Sequence, residues 1–136
     1  MLGLIHRVDQ GISILDLAGR LTFGQEDLDF RNDVEGLLAS GKIHFVFNLS
    51  GLHELDAIGF GTILFARGRA QNAGGNVAIL DSNPTHTELL MEARIETTFE
   101  VYKSEQDAVE SFLPNHDRPY DILEFVESRA SKQPKS

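Results

Sequence analysis

The chain has 136 residues and no cysteine, so it must close on a hydrophobic core without disulfides, cysteine zinc sites or a thiol nucleophile. A formal net charge of −9, with the basic residues scattered, excludes the basic stripe that non-specific nucleic-acid binding needs. No apolar run approaches the ~20 residues that cross a bilayer, and "MLGLIHRVDQ" lacks a secretory signal, so a cytoplasmic protein without membrane insertion is expected.

The first twenty-odd residues, "LGLIHRVDQGISILDLAGRL", read as two strands around a turn at Asp9, Gln10 and Gly11. In the second strand Ser13, Leu15 and Leu17 share one face, while Ile12, Ile14 and Asp16 share the other. After Gly24 an acidic turn with Glu26, Asp27 and Asp29 suits a helix N-terminus. Phe30, Val34, Leu37 and Leu38 then form an amphipathic stripe that Gly41 can end. "KIHFVFNL" is a central strand with Ile43, Phe45, Phe47 and Leu49 on one side, and it is expected to run into a short loop. Asp56 opens the next helix, which ends near "NAGG". A strand "NVAILD" follows, then a helix entered through Asn83 and Pro84, then a short strand "TFEVY". Ser104 and Asp107 form a capping-box pattern before the helix holding Val109 and Phe112. The order β-β-α-β-α-β-α-β-α predicts an α/β fold with a mostly parallel or mixed sheet. Beyond Pro114, Tyr120, Ile122, Leu123, Phe125 and Val126 predict a further short helix over 119–129, followed by a frayed tail.

The catalytic and cofactor motifs fail one by one. No Walker loop is present, and Thr62 and Leu64 stand where a dinucleotide fingerprint built on Gly59 and Gly61 needs glycine. His6, His44, His53, His86 and His116 show no metal-ligand spacing, and no G-x-S-x-G elbow marks a nucleophile. Neither metal, cofactor nor enzymatic activity is expected.

A helix tip remains. Asp56 is a good N-cap, and it leaves Ala57, Ile58 and Gly59 as a first turn with free N–H groups. A helical glycine costs roughly 1 kcal/mol against alanine. Gly59 and Gly61 within one turn therefore suggest close backbone approach, either by a neighbouring helix of this chain or by a partner.

With these elements in order, the chain resembles the STAS-domain family, in particular the small anti-sigma-factor antagonists of bacteria. The likeness is carried by "GRLTF", by "FVFNLSGLHELDAIGFGTILFARGRAQNAGGNVAIL" and by "FEVYKSEQDAVESF". It implies a four- to five-stranded mixed sheet with helices packed mainly on one face, over a domain at 1–113, with 114–136 as a C-terminal extension. The family's loop Asp-Ser-[Ser/Thr]-Gly-[Leu/Ile]-Gly stands here as Asp56, Ala57, Ile58, Gly59, Phe60 and Gly61.

The resemblance implies that Asp56, Ala57, Ile58, Gly59, Phe60, Gly61 and Thr62 bind a partner, an anti-sigma factor of the serine-kinase type. In such antagonists that kinase phosphorylates the first serine of the loop and thereby breaks the complex. Ala57 has no hydroxyl, so no phosphorylation is expected there, and Ile58 places an apolar group where the family has a polar one. Thr62, Ser50 and Ser82 are the nearby hydroxyls. The alternative is an oligomeric STAS scaffold within a sensory or transporter-associated complex, which leaves a homodimer open.

Overall fold

Gln10 and Gly11 take positive φ angles of 54° and 80°, the geometry of a two-residue hairpin turn that matches strand twist. That turn joins strand β1 (Leu2–Asp9) to β2 (Ile12–Leu21), and it sets an unbroken antiparallel register from Leu2 opposite Gly19 to Asp9 opposite Ile12. The computed structural model describes residues 1–113. The extension expected over 114–136, with its helix at 119–129, lies outside the described residues.

Strand β3 (His44–Leu55) follows helix α1 (Gln25–Ala39) and pairs parallel to β2. Helix α2 (Ala57–Asn72) leads to strand β4 (Asn76–Leu80), parallel to β3. A 3-10 turn (Pro84–His86) runs into α3 (Thr87–Glu96), then a two-residue strand β5 (Val101–Tyr102) and helix α4 (Glu105–Glu110). The sheet order is β1-β2-β3-β4-β5, with only the first pair antiparallel, because each parallel step needs its crossover helix.

Most helices lie on one face, as the family resemblance implies. There Phe30 and Val34 of α1, Phe60, Ile63, Ala66 and Ala70 of α2 and Leu90 of α3 bury Leu15, Leu17, Phe45, Phe47 and Leu49. Among the described residues the opposite face is closed by α4 alone, whose Ala108 and Val109 cover Ile12, Ile14, Val46, Ala78 and Leu80.

One expectation is corrected. No short loop separates β3 from α2; the strand continues to Leu55 and only Asp56 intervenes. Two register shifts against β2 make this work, each adding one residue to β3. The first moves the core face from Phe45, Phe47 and Leu49 to Leu52, and the second moves it back to Leu55. Gly51 sits at the first shift, where a Cβ would lie 2.7 Å from the Leu17 carbonyl oxygen. Alternation broken twice reads as a loop in the sequence.

Past Asn48, β3 has outrun β4, and side chains take over the ladder's work. The Leu52 carbonyl accepts the Asn83 side-chain amide at 3.0 Å and faces His86 Nε2 at 2.9 Å. The buried His86 ring meets Asp81 Oδ2 through Nδ1 at 2.6 Å, tying the 3-10 turn to the sheet.

Candidate functional site

Asp56 has extended backbone angles, and its carboxylate serves two segments. Oδ1 accepts the Gly59 N–H at 2.7 Å, which caps α2, and Oδ2 accepts the Phe23 N–H at 3.1 Å. The loop between β2 and α1 is thereby fastened to the start of α2. A second tie lies one turn further on, where the buried Thr62 hydroxyl donates to the Asp27 carboxylate, itself 8% exposed.

The seven predicted residues divide into three groups. Ala57, Ile58 and Gly61 reach the surface, with Ile58 52% exposed. Asp56 is half-buried as the cap. Gly59, Phe60 and Thr62 are buried; Phe60 packs against Phe99 with ring centroids 5.2 Å apart. Thr62 therefore supports the tip from inside, and its hydroxyl is already committed to Asp27. Ser50 and Ser82 are bonded to each other, Oγ to Oγ, at 3.2 Å.

The two glycines have different causes. A Cβ on Gly59 would lie 2.1 Å from the Leu21 carbonyl oxygen, so this glycine answers to the chain's own β2 strand rather than to a neighbouring helix. A Cβ on Gly61 would meet nothing within 4 Å. Gly61 opens instead onto a cleft of about 290 Å³ between α2 and α3, lined also by Ala57, Leu64, Leu89 and Ala93.

Sequence reasoning missed three exposed apolar side chains on the loop before α1, on α1 and on α2. Phe23 is 76% exposed, with Leu28 and Phe65 about half exposed. The α1–α2 seam is traced by Asp27 on Thr62, by the Arg31 guanidinium 4.7 Å over the Phe65 ring, and by Glu35 paired with Arg69 at 2.7 Å. Ile58 and Phe65, seven residues apart, both lie on the α2 side of that seam. A signal exists: Phe23 precedes Gly24 outside any periodic stripe, which gives it no core position.

The surroundings are acidic. Within α1 stand five carboxylates, Glu26, Asp27, Asp29, Asp33 and Glu35, against the single cation Arg31. Glu26 is held at about 2, below the usual carboxylate range, by its own backbone N–H at the helix start, then by Arg20 and the Met1 ammonium. A second charged knot lies on the α4 side. Arg7 bonds Asp16 at 2.6 Å and Glu105 at 2.6 Å, and this lowers both carboxyls while raising the guanidinium. Among the described residues no group of three or more His, Asp or Glu side chains is placed to hold a metal, and no helix is long and apolar enough to cross a membrane.

A family model described as "STAS domain" matches residues 4–108. Among solved structures, the chain is similar to an anti-sigma factor antagonist from Mycobacterium paratuberculosis, at 14% identity and a TM-score of 0.72 over 82% of this chain and 94% of that one. It is likewise similar to a putative anti-sigma factor antagonist from Thermotoga maritima, at 18% identity and a TM-score of 0.72 over 80% and 93%. The anti-sigma factor antagonist SpoIIAA in its unphosphorylated form aligns at 17% identity and a TM-score of 0.61 over 82% and 96%. At such identities the likeness is one of fold. No curated protein matches the chain in sequence.

Proposed function

The chain belongs to the STAS domain family, and from that premise we propose that it is a non-catalytic, cytoplasmic protein-binding regulator of the anti-sigma-factor-antagonist type. It docks through the start of α2 onto an anti-sigma factor of the serine-kinase class. The observation that carries this reading is the tip itself. Ala57 and Ile58 stand exposed beside Phe23, on a turn that Asp56 holds from two sides.

A docking tip of this kind is switched off by a phosphate, which brings roughly −1.5 to −2 charges into a packed contact. Position 57 offers only a methyl group, so the phosphate has no oxygen to join. The complex is therefore constitutive: binding is present and the release step at this position is absent. Ile58 adds apolar area to the contact, which favours a partner with a matching apolar recess.

The test mixes purified chain with candidate anti-sigma kinases from the same genome, with ATP, and compares wild type with Ala57→Ser. The reading expects stable capture of the wild type, and phosphate transfer to the serine variant alone, followed by its release. Capture of neither form overturns it.

A further inference from the structure

Strand β1 is an edge of the sheet, eight residues long, and among the described residues nothing pairs with its outer side. The Met1 carbonyl accepts the Arg20 N–H at 2.9 Å, which fixes the alternation of the ladder. In that alternation Gly3, Ile5, Arg7 and Asp9 turn their N–H and C=O groups to β2, while Leu4, His6 and Val8 turn theirs outward.

Natural edges are blunted by shortness, proline, bulges or outward lysines. The opposite edge, β5, is two residues long. β1 has no proline, no lysine and no break in register. Its one strong cation, Arg7, is turned to Asp16 and Glu105. It also exposes apolar side chains on both faces, Ile5 at 65% and Val8 at 58%.

We propose that β1 pairs antiparallel with β1 of a second copy of this chain, about a two-fold axis at Ile5, to make one continuous sheet across the dimer. This register pairs the outward groups of Leu4 with those of His6 in the partner, and of Leu2 with Val8. Ile5 meets its own counterpart in the close, non-hydrogen-bonded position where side chains touch best. Val8 is covered by the partner's Leu2. Gly3 stands opposite Arg7, which leaves that guanidinium room to keep both carboxylates. No like charges face each other. The pairing is self-complementary, as a two-fold contact must be, and it holds whether or not the α2 tip docks on an anti-sigma factor.

Sedimentation of the full chain, from micromolar to several hundred micromolar, tests it. The expected result is a reversible rise toward twice the monomer mass, with amide exchange slowing at Leu4, His6 and Val8 as the dimer fills. Ile5→Lys sets two ammonium groups across the axis and weakens the dimer roughly tenfold or more. Ile5→Glu does the same alone, and an equimolar mixture of the two variants restores association as a heterodimer. Because Ile5 is exposed, both variants fold, which circular dichroism checks. A chain that stays monomeric throughout overturns the proposal, as does a dimer that Ile5→Lys leaves intact or that the mixture fails to restore.

Discussion

Asp56 and Phe23 lie 33 residues apart, yet the carboxylate of the first accepts the backbone N–H of the second at 3.1 Å. The same carboxylate caps α2 through Gly59, so one side chain sets the helix start and the loop beside it. Replacing Asp56 with alanine removes both bonds. The expected cost is roughly 1–2 kcal/mol, the upper range for a lost N-cap. Asp56→Asn keeps a capping oxygen and loses less. Thermal unfolding of the two variants gives the order: wild type, then asparagine, then alanine.

The glycines of the tip make a paired test. Gly59→Ala forces a methyl group onto the Leu21 carbonyl, a contact with backbone that no rotamer relieves. A loss of about 3 kcal/mol or more is expected from such overpacking. Gly61→Ala meets open space and gains roughly 0.5–1 kcal/mol of helix propensity. Urea unfolding separates the pair by sign. Equal effects would show that the tip's backbone is not where the Leu21 contact puts it.

Arg7 governs the acid limb of stability. It holds Asp16 and Glu105 below their usual carboxylate range, first through the hydrogen bonds and then through charge. Depressed carboxyls contribute stability that is fully present above their unfolded values and is lost as pH falls through the folded ones. The window therefore opens below about pH 4.5 and extends downward. At neutral pH Arg7→Ala costs about 1 kcal/mol, a figure kept small because the groups are partly exposed to screening solvent. The variant also loses less stability between pH 6 and pH 3 than wild type does, which denaturant midpoints across that range measure.

The elements were legible where a single signal was clean. Asp9, Gln10 and Gly11 announced the hairpin, Ser104 and Asp107 announced α4, and the Phe30, Val34 stripe announced α1, because each depends on residues close in sequence. The far half of β3 was not legible, since two bulges shift its alternation and a bulge leaves no mark except Gly51. Of the site, the capping role of Asp56 could be read from its position before Ala57. The burial of Thr62 could not, because it depends on α1 lying alongside α2 and bringing Asp27 to the hydroxyl. His86 looked like one of several scattered histidines. Its meaning comes from Leu52, which reaches it only because β3 outruns β4.

His86 carries the last consequence. Its two ring nitrogens face Asp81 and the Leu52 carbonyl, and both side chains are almost fully buried. His86→Leu would match the volume but leave the Asp81 carboxylate beside an apolar group, with the Asn83 N–H at 2.9 Å still bonded to it. Removing one partner of a buried hydrogen-bonded pair typically costs about 1–3 kcal/mol, because the oxygen left behind loses its donor without regaining water. Removing both is milder, so the double variant Asp81→Asn with His86→Leu should recover part of the loss. A double-mutant cycle in urea measures that coupling. Strict additivity would mean that the two side chains do not act as a pair, and that His86 holds the start of α3 to β3 only through the Leu52 carbonyl, beside Asn83.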